Sequence, residues 1–412
     1  MTLSEELSWR GFVNQTTYSN PTALDGDPIT FYLGVDPSAS SMTVGNLAVV
    51  MMVRHFVQHG HKAILLVGGA TGMIGDPDGK KQERDLLTLE QIDKNKQAIA
   101  AQYRQVLGEL PFELVDNYDW FKGVGYLDFL RDVGKHVPMR QMLSRDFVQS
   151  RLGEDGAGIS YAEFSYSLIQ GYDFVHLHKE KGVSLQICGA DQWGNSITGV
   201  DLIRRLTGDE AHVWSAPLVI NKSTGLKFGK SEGGAVWLDA SQTSPYDFYQ
   251  FWLNVDDEGV ESYLKIYTLL NKDELDSVMA EFSQNRGGRA AQKRLAYEVT
   301  KIVHGQQTAD DVVRVTELLF GKEELGASDY GVIKNVMPVT KVSAGMPLLE
   351  VVVVLGLASS NTEARRFVAE GAIKINNDRA TAEKQTLDEA DFYDGIAVIR
   401  RGKNSVAVAS LQ

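Results

Sequence analysis

The first half of the chain alternates short apolar runs with glycine-rich turns, and this pattern restricts the possible folds most. Residues 29–35, 62–67 and 185–187 form apolar runs that predict β-strands, and residues 46–57 have the apolar spacing of a helix. The turn GGATGMIGDPDG follows the second run, and CGADQWGN follows the third. Strand, turn, helix and strand in this order predict a parallel sheet. Ligands of such sheets bind at the carboxyl ends of the strands, where these turns lie.

The rest of the chain changes pattern twice. From about residue 245 to 320 the apolar spacing is helical, residues 323–344 are less regular, and from about 346 two helix-like pieces precede short strand-like pieces. We therefore predict an α/β fold with a Rossmann-like parallel-sheet domain at 1–234. An α-helical domain at 235–325, a linker at 326–344 and a small α+β domain at 345–412 follow it.

Composition narrows the protein class. The chain has 412 residues and a single cysteine, so we expect neither a disulfide framework nor a cysteine-rich metal site. No apolar run approaches the roughly 20 residues that span a membrane, and the N-terminal segment lacks the pattern of a secretion signal. We therefore expect a cytoplasmic protein. The net charge of −13 argues against a general polyanion binder but allows a local basic patch to contact RNA.

Two segments carry candidate phosphate-binding groups. In DPSASSMTVGN, residues 36–46, a polar turn precedes a predicted helix whose free N–H groups attract phosphate. Taken alone, this segment is better explained as an ordinary capped helix. In KFGKS, residues 227–231, two lysines flank a glycine, and such a loop can stabilise charge that develops on a phosphate. A solvated hairpin explains that pentapeptide equally well.

In combination, the two segments resemble the paired motifs of class I aminoacyl-tRNA synthetases, and the whole chain resembles the bacterial-type tyrosyl-tRNA synthetase family. The matching stretches are FYLGVDPSA, LVGGATGMIGDPDGKKQER, NYDW, FLRDVGKH, GISYAEFSYSLIQGYDF, LQICGADQWGN, GLKFGKSEGGAVWLD and TSPYDFYQFW. The resemblance continues through a helical anticodon-recognition domain to EARRFVAEGAIKIN, which is similar to a ribosomal RNA-binding fold. It implies that ATP activates L-tyrosine as tyrosyl-adenylate, and that tRNA(Tyr) then receives the tyrosyl group on its 3'-terminal ribose.

The same resemblance implies the tyrosine site. The residues that it assigns to tyrosine are Tyr32, Asp76, Asn117, Tyr166, Gln170, Asp173 and Gln192. Tyr32 and Asp173 would meet the phenolic hydroxyl, and Trp120 and Gln186 would support the pocket. Independently of the resemblance, Tyr166, Gln170 and Asp173 have the i, i+4, i+7 spacing that puts side chains on one face of a helix.

The nucleotide site is implied in the same way. The residues that it assigns to ATP are Gly34, Asp36, Ser38, Gly45, Gly189, Asp191 and Lys230. The residues that it assigns to catalysis are Thr43, Asn46, Lys80, Arg84, Lys227, Lys230 and Ser231. We expect Mg²⁺ to accompany ATP without a dedicated protein metal site, and we expect no organic prosthetic group. The implied partners are tRNA(Tyr) and a second copy of the chain, with neither DNA nor a membrane.

One position departs from the family pattern. Thr43 stands where the first motif normally has histidine, whereas Asn46 replaces its second histidine by a substitution that the family shows. Threonine can donate a hydrogen bond, but it is shorter than histidine and never cationic. An inactive or repurposed paralogue is therefore an alternative. A tryptophan enzyme, which would not need Tyr32 paired with Asp173, and a generic nucleotide-binding α/β protein are the others.

Overall fold

The computed structural model describes residues 1–77, 86–153, 156–231, 234–321, 324–381, 383–402 and 405–412, and only the backbone at 146, 147, 230 and 231. The helices are α1 Leu3–Arg10, α2 Val44–Gln58, α3 Leu89–Leu107, α4 Tyr118–Phe121, α5 Tyr126–Asp132, α6 Met139–Leu143, α7 Asp146–Leu152, α8 Tyr161–Lys181, α9 Trp193–Leu206, α10 Pro245–Leu253, α11 Val260–Tyr267, α12 Lys272–Gln284, α13 Ala290–His304, α14 Gln306–Phe320, α15 Asp329–Val336, α16 Leu348–Val354 and α17 Asn361–Ala369.

The strands are β1 Gln15–Thr16, β2 Thr30–Val35, β3 Lys62–Val67, β4 Phe112–Asp116, β5 Val183–Gly189, β6 His212–Ala216, β7 Lys230–Ser231, β8 Gly234–Ala235, β9 Val339–Val342, β10 Met346–Pro347, β11 Ile373–Ile375, β12 Asp378–Arg379, β13 Thr386–Leu387, β14 Ile396–Arg401 and β15 Ser405–Leu411. Within the described part of the chain, no helix has the length and apolar character needed to cross a membrane.

The first of two compact units contains Met1–Leu238 and Asp256–Ala291. Its sheet has the strand order β1-β6-β5-β2-β3-β4, and the five strands β2 to β6 are parallel, with β1 antiparallel at the edge. The predicted α/β class with a Rossmann-like parallel sheet is confirmed. Strand order reverses next to β2, so the carboxyl ends of β2 and β5 open a crevice at this point.

Helices α8 and α9 pack unusually closely because glycines lie at their contact. A Cβ on Gly171 would lie 3.1 Å from Thr198 Cγ2, and one on Gly199 would lie 2.9 Å from Phe174 Cβ. A larger residue at Gly199 would force the contact with Phe174 to shift, and one at Gly171 would need its neighbours to move by a few tenths of an ångström. The close contact brings the start of α9 beside the middle of α8, where the predicted tyrosine-site residues lie.

The second compact unit contains Asp239–Val255 and Gln292–Gln412. Its main sheet has the order β12-β11-β14-β15-β9, in which β9 runs parallel to β15 and the other pairs are antiparallel. Helices α16 and α17 contribute to the apolar core that covers this sheet. The segment 326–344 contains α15 and β9. The four-part division at 1–234, 235–325, 326–344 and 345–412 stays a prediction.

Candidate active site

A cavity of about 440 Å³ opens at the carboxyl ends of β2 and β5 in the first unit. Most of the predicted site residues line it: Tyr32, Gly34, Asp36, Ser38, Thr43, Gly45, Asn46, Asp76, Tyr166, Gln170, Asp173, Gly189, Asp191, Gln192 and Lys227. Asn117 lies behind the wall and bonds to Asp173. Lys80 and Arg84 fall outside the described residues, as do the side chains of Lys230 and Ser231.

At the deep end of the cavity, the buried carboxyl group of Asp173 lies near the buried phenol of Tyr32. Asp173 is only 2% exposed and accepts hydrogen bonds of 3.0 Å from Asn117 Nδ2 and from Trp120 Nε1. Burial raises the pKa of the Asp173 carboxyl well above its usual value, despite the two donors. Burial and the Asp173 charge raise the pKa of the Tyr32 hydroxyl in turn. An unionised phenol therefore lies near a carboxyl group, and together they can bind a ligand hydroxyl that donates to one and accepts from the other.

Three polar atoms on this wall are buried without a hydrogen bond to the described residues. They are the Tyr32 hydroxyl, Gln170 Oε1 and Gln186 Oε1. Buried polar atoms in folded proteins are nearly always paired, so a group of unpaired ones on one cavity wall indicates a polar ligand. Two of the three are acceptors only, and the ligand must therefore bring hydrogen-bond donors of its own.

A single buried hydroxyl connects the two halves of the cavity. Thr71 Oγ1 donates to Asp36 Oδ1 over 2.6 Å and accepts from Asn117 Nδ2 over 3.1 Å. The Tyr166 hydroxyl donates to the other Asp36 oxygen over 2.7 Å. A Cβ on Gly68 would lie 2.0 Å from Thr71 Oγ1, so only glycine leaves room for this contact. Thr71 and Gly68 were not among the predicted site residues, although both belong to the glycine-rich turn after β3.

The turn between β2 and α2 is held from behind by polar side chains of α3. Asn95 Nδ2 donates to the carbonyl oxygen of Pro37 over 2.9 Å, and Gln102 Oε1 accepts from the backbone N–H of Met42 over 2.8 Å. Both side chains are buried. Helix α3 therefore holds the turn at two points, Pro37 and Met42. No spacing in the sequence indicated that α3 does this.

Thr43 caps helix α2, and its hydroxyl proton is directed to a neighbour. Both the backbone N–H and the hydroxyl of Thr43 donate to Asn46 Oδ1 over 2.9 Å. Because Asn46 Oδ1 accepts both of these hydrogen bonds, the side-chain NH₂ group of Asn46 is the part that can donate to a ligand in the cavity. Thr43 acts on the cavity through Asn46 in this arrangement, whereas the sequence analysis treated it as a direct phosphate donor.

The turn after β5 brings an acidic side chain to the cavity. A Cβ on Gly189 would lie 2.6 Å from Asp191 Oδ1, so a larger residue here would displace the Asp191 carboxylate from its present position. Its neighbour Gln192 donates from Nε2 to Asp76 Oδ2 over 2.5 Å. Four of the predicted residues, Gly189, Asp191, Gln192 and Asp76, therefore line this edge of the cavity. A carboxylate in such a position is a suitable acceptor for the hydroxyl groups of a ligand.

The lysine-containing loop is a hairpin tied to the start of α2. Its backbone donates from Phe228 to Val219 over 2.9 Å, and the Val44 N–H donates to Val236 over 3.0 Å. The ring of Phe228 is buried and stacks on Tyr263 of α11 with 4.2 Å between ring centroids. Lys227 is exposed and lines the cavity. The base of the hairpin is thus anchored while Lys227 faces the open half of the site.

Comparison with known proteins agrees with this geometry. Residues 24–321 match the family model of class I tRNA synthetases (W and Y), and residues 330–408 match the SYY-like C-terminal domain of tyrosine–tRNA ligases. The chain is 42% identical to the tyrosine–tRNA ligase of Rhodopirellula baltica, over 100% of this chain and 96% of that protein. It is 44% identical to tyrosine–tRNA ligase 1 of Streptococcus thermophilus, over 98% of both.

Solved structures point the same way. The chain is similar to a C-terminally truncated mitochondrial tyrosyl-tRNA synthetase of Aspergillus nidulans, with a TM-score of 0.70 and 29% identity over 77% of this chain and 94% of that one. A tyrosyl-tRNA synthetase of Archaeoglobus fulgidus in complex with L-tyrosine shares the fold, with a TM-score of 0.54 at 15% identity. With both family models matched and relatives aligned along its length, the chain belongs to the tyrosine–tRNA ligase family of class I tRNA synthetases.

Proposed function

We propose that this protein is a tyrosine–tRNA ligase, which forms tyrosyl-adenylate and pyrophosphate from L-tyrosine and ATP and then charges tRNA(Tyr). The observation that carries the proposal is the pairing of Tyr32 with the buried Asp173 at the closed end of a cavity. The open end of that cavity has a helix N-terminus and Lys227, which suit phosphate.

The closed end recognises the phenol ring. The substrate hydroxyl donates to the Asp173 carboxylate and accepts from the Tyr32 hydroxyl, which has no other described partner. Phenylalanine would leave both groups buried without that partner, and each such loss costs about 1–3 kcal/mol. A tryptophan enzyme has no use for this pair, so the geometry favours tyrosine over that alternative.

The middle of the cavity holds the amino acid head group. We assign the ammonium to Asp76, Tyr166 and Gln170, and the substrate carboxylate to the amide nitrogen of Gln192. Asp36 stabilises the Tyr166 hydroxyl by accepting from it over 2.7 Å. A carboxylate and an amide oxygen beside one phenol provide acceptors for three N–H donors.

The reaction is an in-line displacement at phosphorus. A carboxylate oxygen of tyrosine attacks the α-phosphorus of ATP, a new phosphorus–oxygen bond forms, and the bond to the bridging oxygen of pyrophosphate breaks. The nucleophile is already an anion, so no general base is required. The protein contributes positioning and charge neutralisation, which preorganised donors and cations supply.

The groups that neutralise this charge are the α2 N-terminus, Asn46 and Lys227. We assign Lys80, Arg84, Lys230 and Ser231 to the departing pyrophosphate on the family resemblance alone. Mg²⁺ would travel with the phosphates of ATP, because it usually keeps several waters and binds through substrate phosphates. In the second step a terminal ribose hydroxyl of tRNA attacks the adenylate carbonyl and AMP leaves.

The inactive-paralogue alternative has no support beyond Thr43. The Thr43 hydroxyl keeps a role in this site because it orients Asn46, which can donate to phosphate in place of a histidine. The relatives that align over the whole chain carry the name tyrosine–tRNA ligase.

We propose two contacts with other macromolecules. The second unit would bind tRNA through basic residues such as Arg365, Arg366 and Lys374, and residues 129–143 would form a homodimer contact, as the resemblance implies. Exposed apolar side chains lie in and beside that segment, namely Tyr126, Leu127, Met139 and Leu143. We propose a cytoplasmic location because tRNA is charged there.

ATP–pyrophosphate exchange tests the first step. We expect exchange that depends on tyrosine and is far weaker with phenylalanine or tryptophan. Absence of tyrosine-dependent exchange from the pure, folded protein would refute the proposal. A chain that ends at residue 344 should retain exchange and lose most tRNA charging, and full charging by it would refute the role of the C-terminal part. Light scattering tests the dimer, since a monomeric mass would exclude it.

A further inference from the structure

A line of hydrogen bonds leads into the active site from a residue that does not line the cavity. Arg145 Nη1 donates to Asn195 Oδ1 over 2.6 Å, and Asn195 Nδ2 donates to Gln192 Oε1 over 3.2 Å. Gln192 Nε2 then donates to Asp76 Oδ2 over 2.5 Å. Asn195 is only 4% exposed, so this connection is made inside the protein. We call these residues the Arg145 relay.

Arg145 is held firmly at the outer end of the relay. Its Nη2 donates to Thr198 Oγ1 over 2.6 Å and to the carbonyl oxygen of Gly194 over 2.7 Å. Thr198 is buried on α9, and Gly194 lies in the first turn of the same helix. The guanidinium therefore binds the start of α9 at several points, and it cannot turn away from Asn195 without losing them.

The Arg145 guanidinium and the Asp76 carboxylate at the two ends of the relay determine the direction of every hydrogen bond between them. A guanidinium can only donate, and a carboxylate can only accept. Asn195 must therefore present its oxygen to Arg145 and its NH₂ group to Gln192. Gln192 must in turn present its oxygen to Asn195, which leaves its NH₂ group for Asp76. An amide can be turned end over end at little steric cost, so without Arg145 and Asn195 the contact with Asp76 alone would determine which end of Gln192 faces the substrate.

We propose that Arg145 and Asn195 are positioning residues that keep the NH₂ group of Gln192 directed into the tyrosine head-group site. This inference rests on the proposed function, in which that NH₂ group serves the substrate carboxylate next to Asp76. In the reversed orientation, the Gln192 oxygen would face both the Asp76 carboxylate and the incoming carboxylate. Tyrosine affinity would then fall without any change in the residues that touch its ring.

Asn195→Asp is the most discriminating substitution because it keeps size and shape. The new carboxylate can accept from Arg145 but cannot donate to Gln192. Gln192 then lies between two carboxylates. Whichever way its amide turns, its oxygen faces one of them, and that contact is repulsive. Asn195→Ala removes more of the side chain but leaves Gln192 free to keep its bond with Asp76. The relay therefore predicts that Asp is worse than Ala at this position, whereas a role in packing predicts the opposite order.

The experiment compares Asn195→Asp, Asn195→Ala and Arg145→Met with the parent, using tyrosine-dependent ATP–pyrophosphate exchange and calorimetric tyrosine binding. We expect kcat/KM for tyrosine to fall on the order of 10- to 100-fold for Asn195→Asp and roughly 3- to 10-fold for the other two. KM for ATP should change less than about twofold. Thr198→Val is the matched control, because it removes one Arg145 contact outside the relay and should keep the parent KM for tyrosine.

The outcomes separate the relay from the proposed function. If Asn195→Ala is more damaging than Asn195→Asp, or if Arg145→Met keeps the parent affinity for tyrosine, the relay is refuted. A parent protein that neither binds tyrosine nor supports exchange refutes the function instead. Should Asn195→Asp not fold, as thermal unfolding would reveal, Arg145→Met decides alone, because its side chain is partly exposed and its loss opens no buried cavity.

Discussion

The Tyr32 hydroxyl offers a test in which binding and stability should move in different directions. It is buried, lines the deep end of the cavity and has no described hydrogen-bond partner. Tyr32→Phe removes that single oxygen from the folded protein without breaking a bond to a described residue. A buried hydroxyl without a partner costs about 1–3 kcal/mol, so the free energy of unfolding should stay level or rise by about 1 kcal/mol.

Substrate recognition should weaken at the same time. The phenol of bound tyrosine loses one neutral hydrogen bond, worth about 0.5–1.5 kcal/mol, and kcat/KM for tyrosine should fall roughly 2- to 12-fold. Asp173 remains as the acceptor, so activity is reduced rather than abolished. Phenylalanine makes no use of the hydroxyl, and its kcat/KM should be unchanged. The preference for tyrosine should therefore shrink by the same factor.

The assay is ATP–pyrophosphate exchange with each amino acid, accompanied by urea unfolding. Tyr103→Phe is a matched control, since its hydroxyl is also fully buried and unpaired among the described residues but lies on α3 outside the cavity. It should alter stability in the same direction and leave the kinetics alone. An unchanged preference for tyrosine in Tyr32→Phe, or a loss of preference in both variants, would refute the assignment of the deep end to the phenol.

Further predictions concern the nucleotide half and the fold. Thr43→Ala should lower the exchange rate on the order of 10- to 100-fold while KM for tyrosine stays constant, and an unchanged rate would show that orienting Asn46 is unimportant. Thr71→Val should cost about 2–3 kcal/mol of unfolding free energy and Thr71→Ser only about 1, and equal losses would contradict the hydroxyl bridge. Burial raises the pKa of Glu6, but hydrogen bonds and charge from His55 and Arg10 outweigh it and lower that pKa to about 2. A lowered pKa stabilises the fold above about pH 4.5, and this contribution is lost as pH falls through 2. Glu6→Gln should therefore cost about 1–2 kcal/mol at pH 7 and almost nothing at pH 2, and a loss that persists at pH 2 in urea unfolding would show that charge is not its cause.

Local sequence pattern was sufficient to predict two strands and one helix that border the site. The strands expected at 29–35 and 62–67 are Thr30–Val35 and Lys62–Val67, and the helix expected at 46–57 is Val44–Gln58. Buried parallel strands are apolar throughout, and glycine marks their ends, so both signals are strong. Strand β4 was not identified because it is the half-exposed edge of the sheet, and β1 has only two residues. The order of strands depends on tertiary contacts that no periodicity encodes.

The site residues also fall into those that the sequence could predict and those that it could not. Side chains that share one helix face, such as those of α8, were predictable from spacing alone. Thr71, Asn95 and Arg145 were not, because each acts on a partner at least 35 positions away in the chain. Their residue types are common, and only the folded arrangement shows what they touch. Thr43 was singled out as a departure from the family pattern, but its contact with Asn46 needed the structure.

The glycine contact between α8 and α9 restricts how the specificity of this protein can be changed. In the proposed site, Asp173 and Gln170 belong to α8, whereas Gln192, which would meet the substrate carboxylate, directly precedes α9. Because Gly171 and Gly199 lie at the contact of the two helices, a shift of one helix would disturb the residues that the other contributes. We expect a variant that accepts a bulkier ring to gain space from smaller side chains, because separating the helices would also displace Gln192.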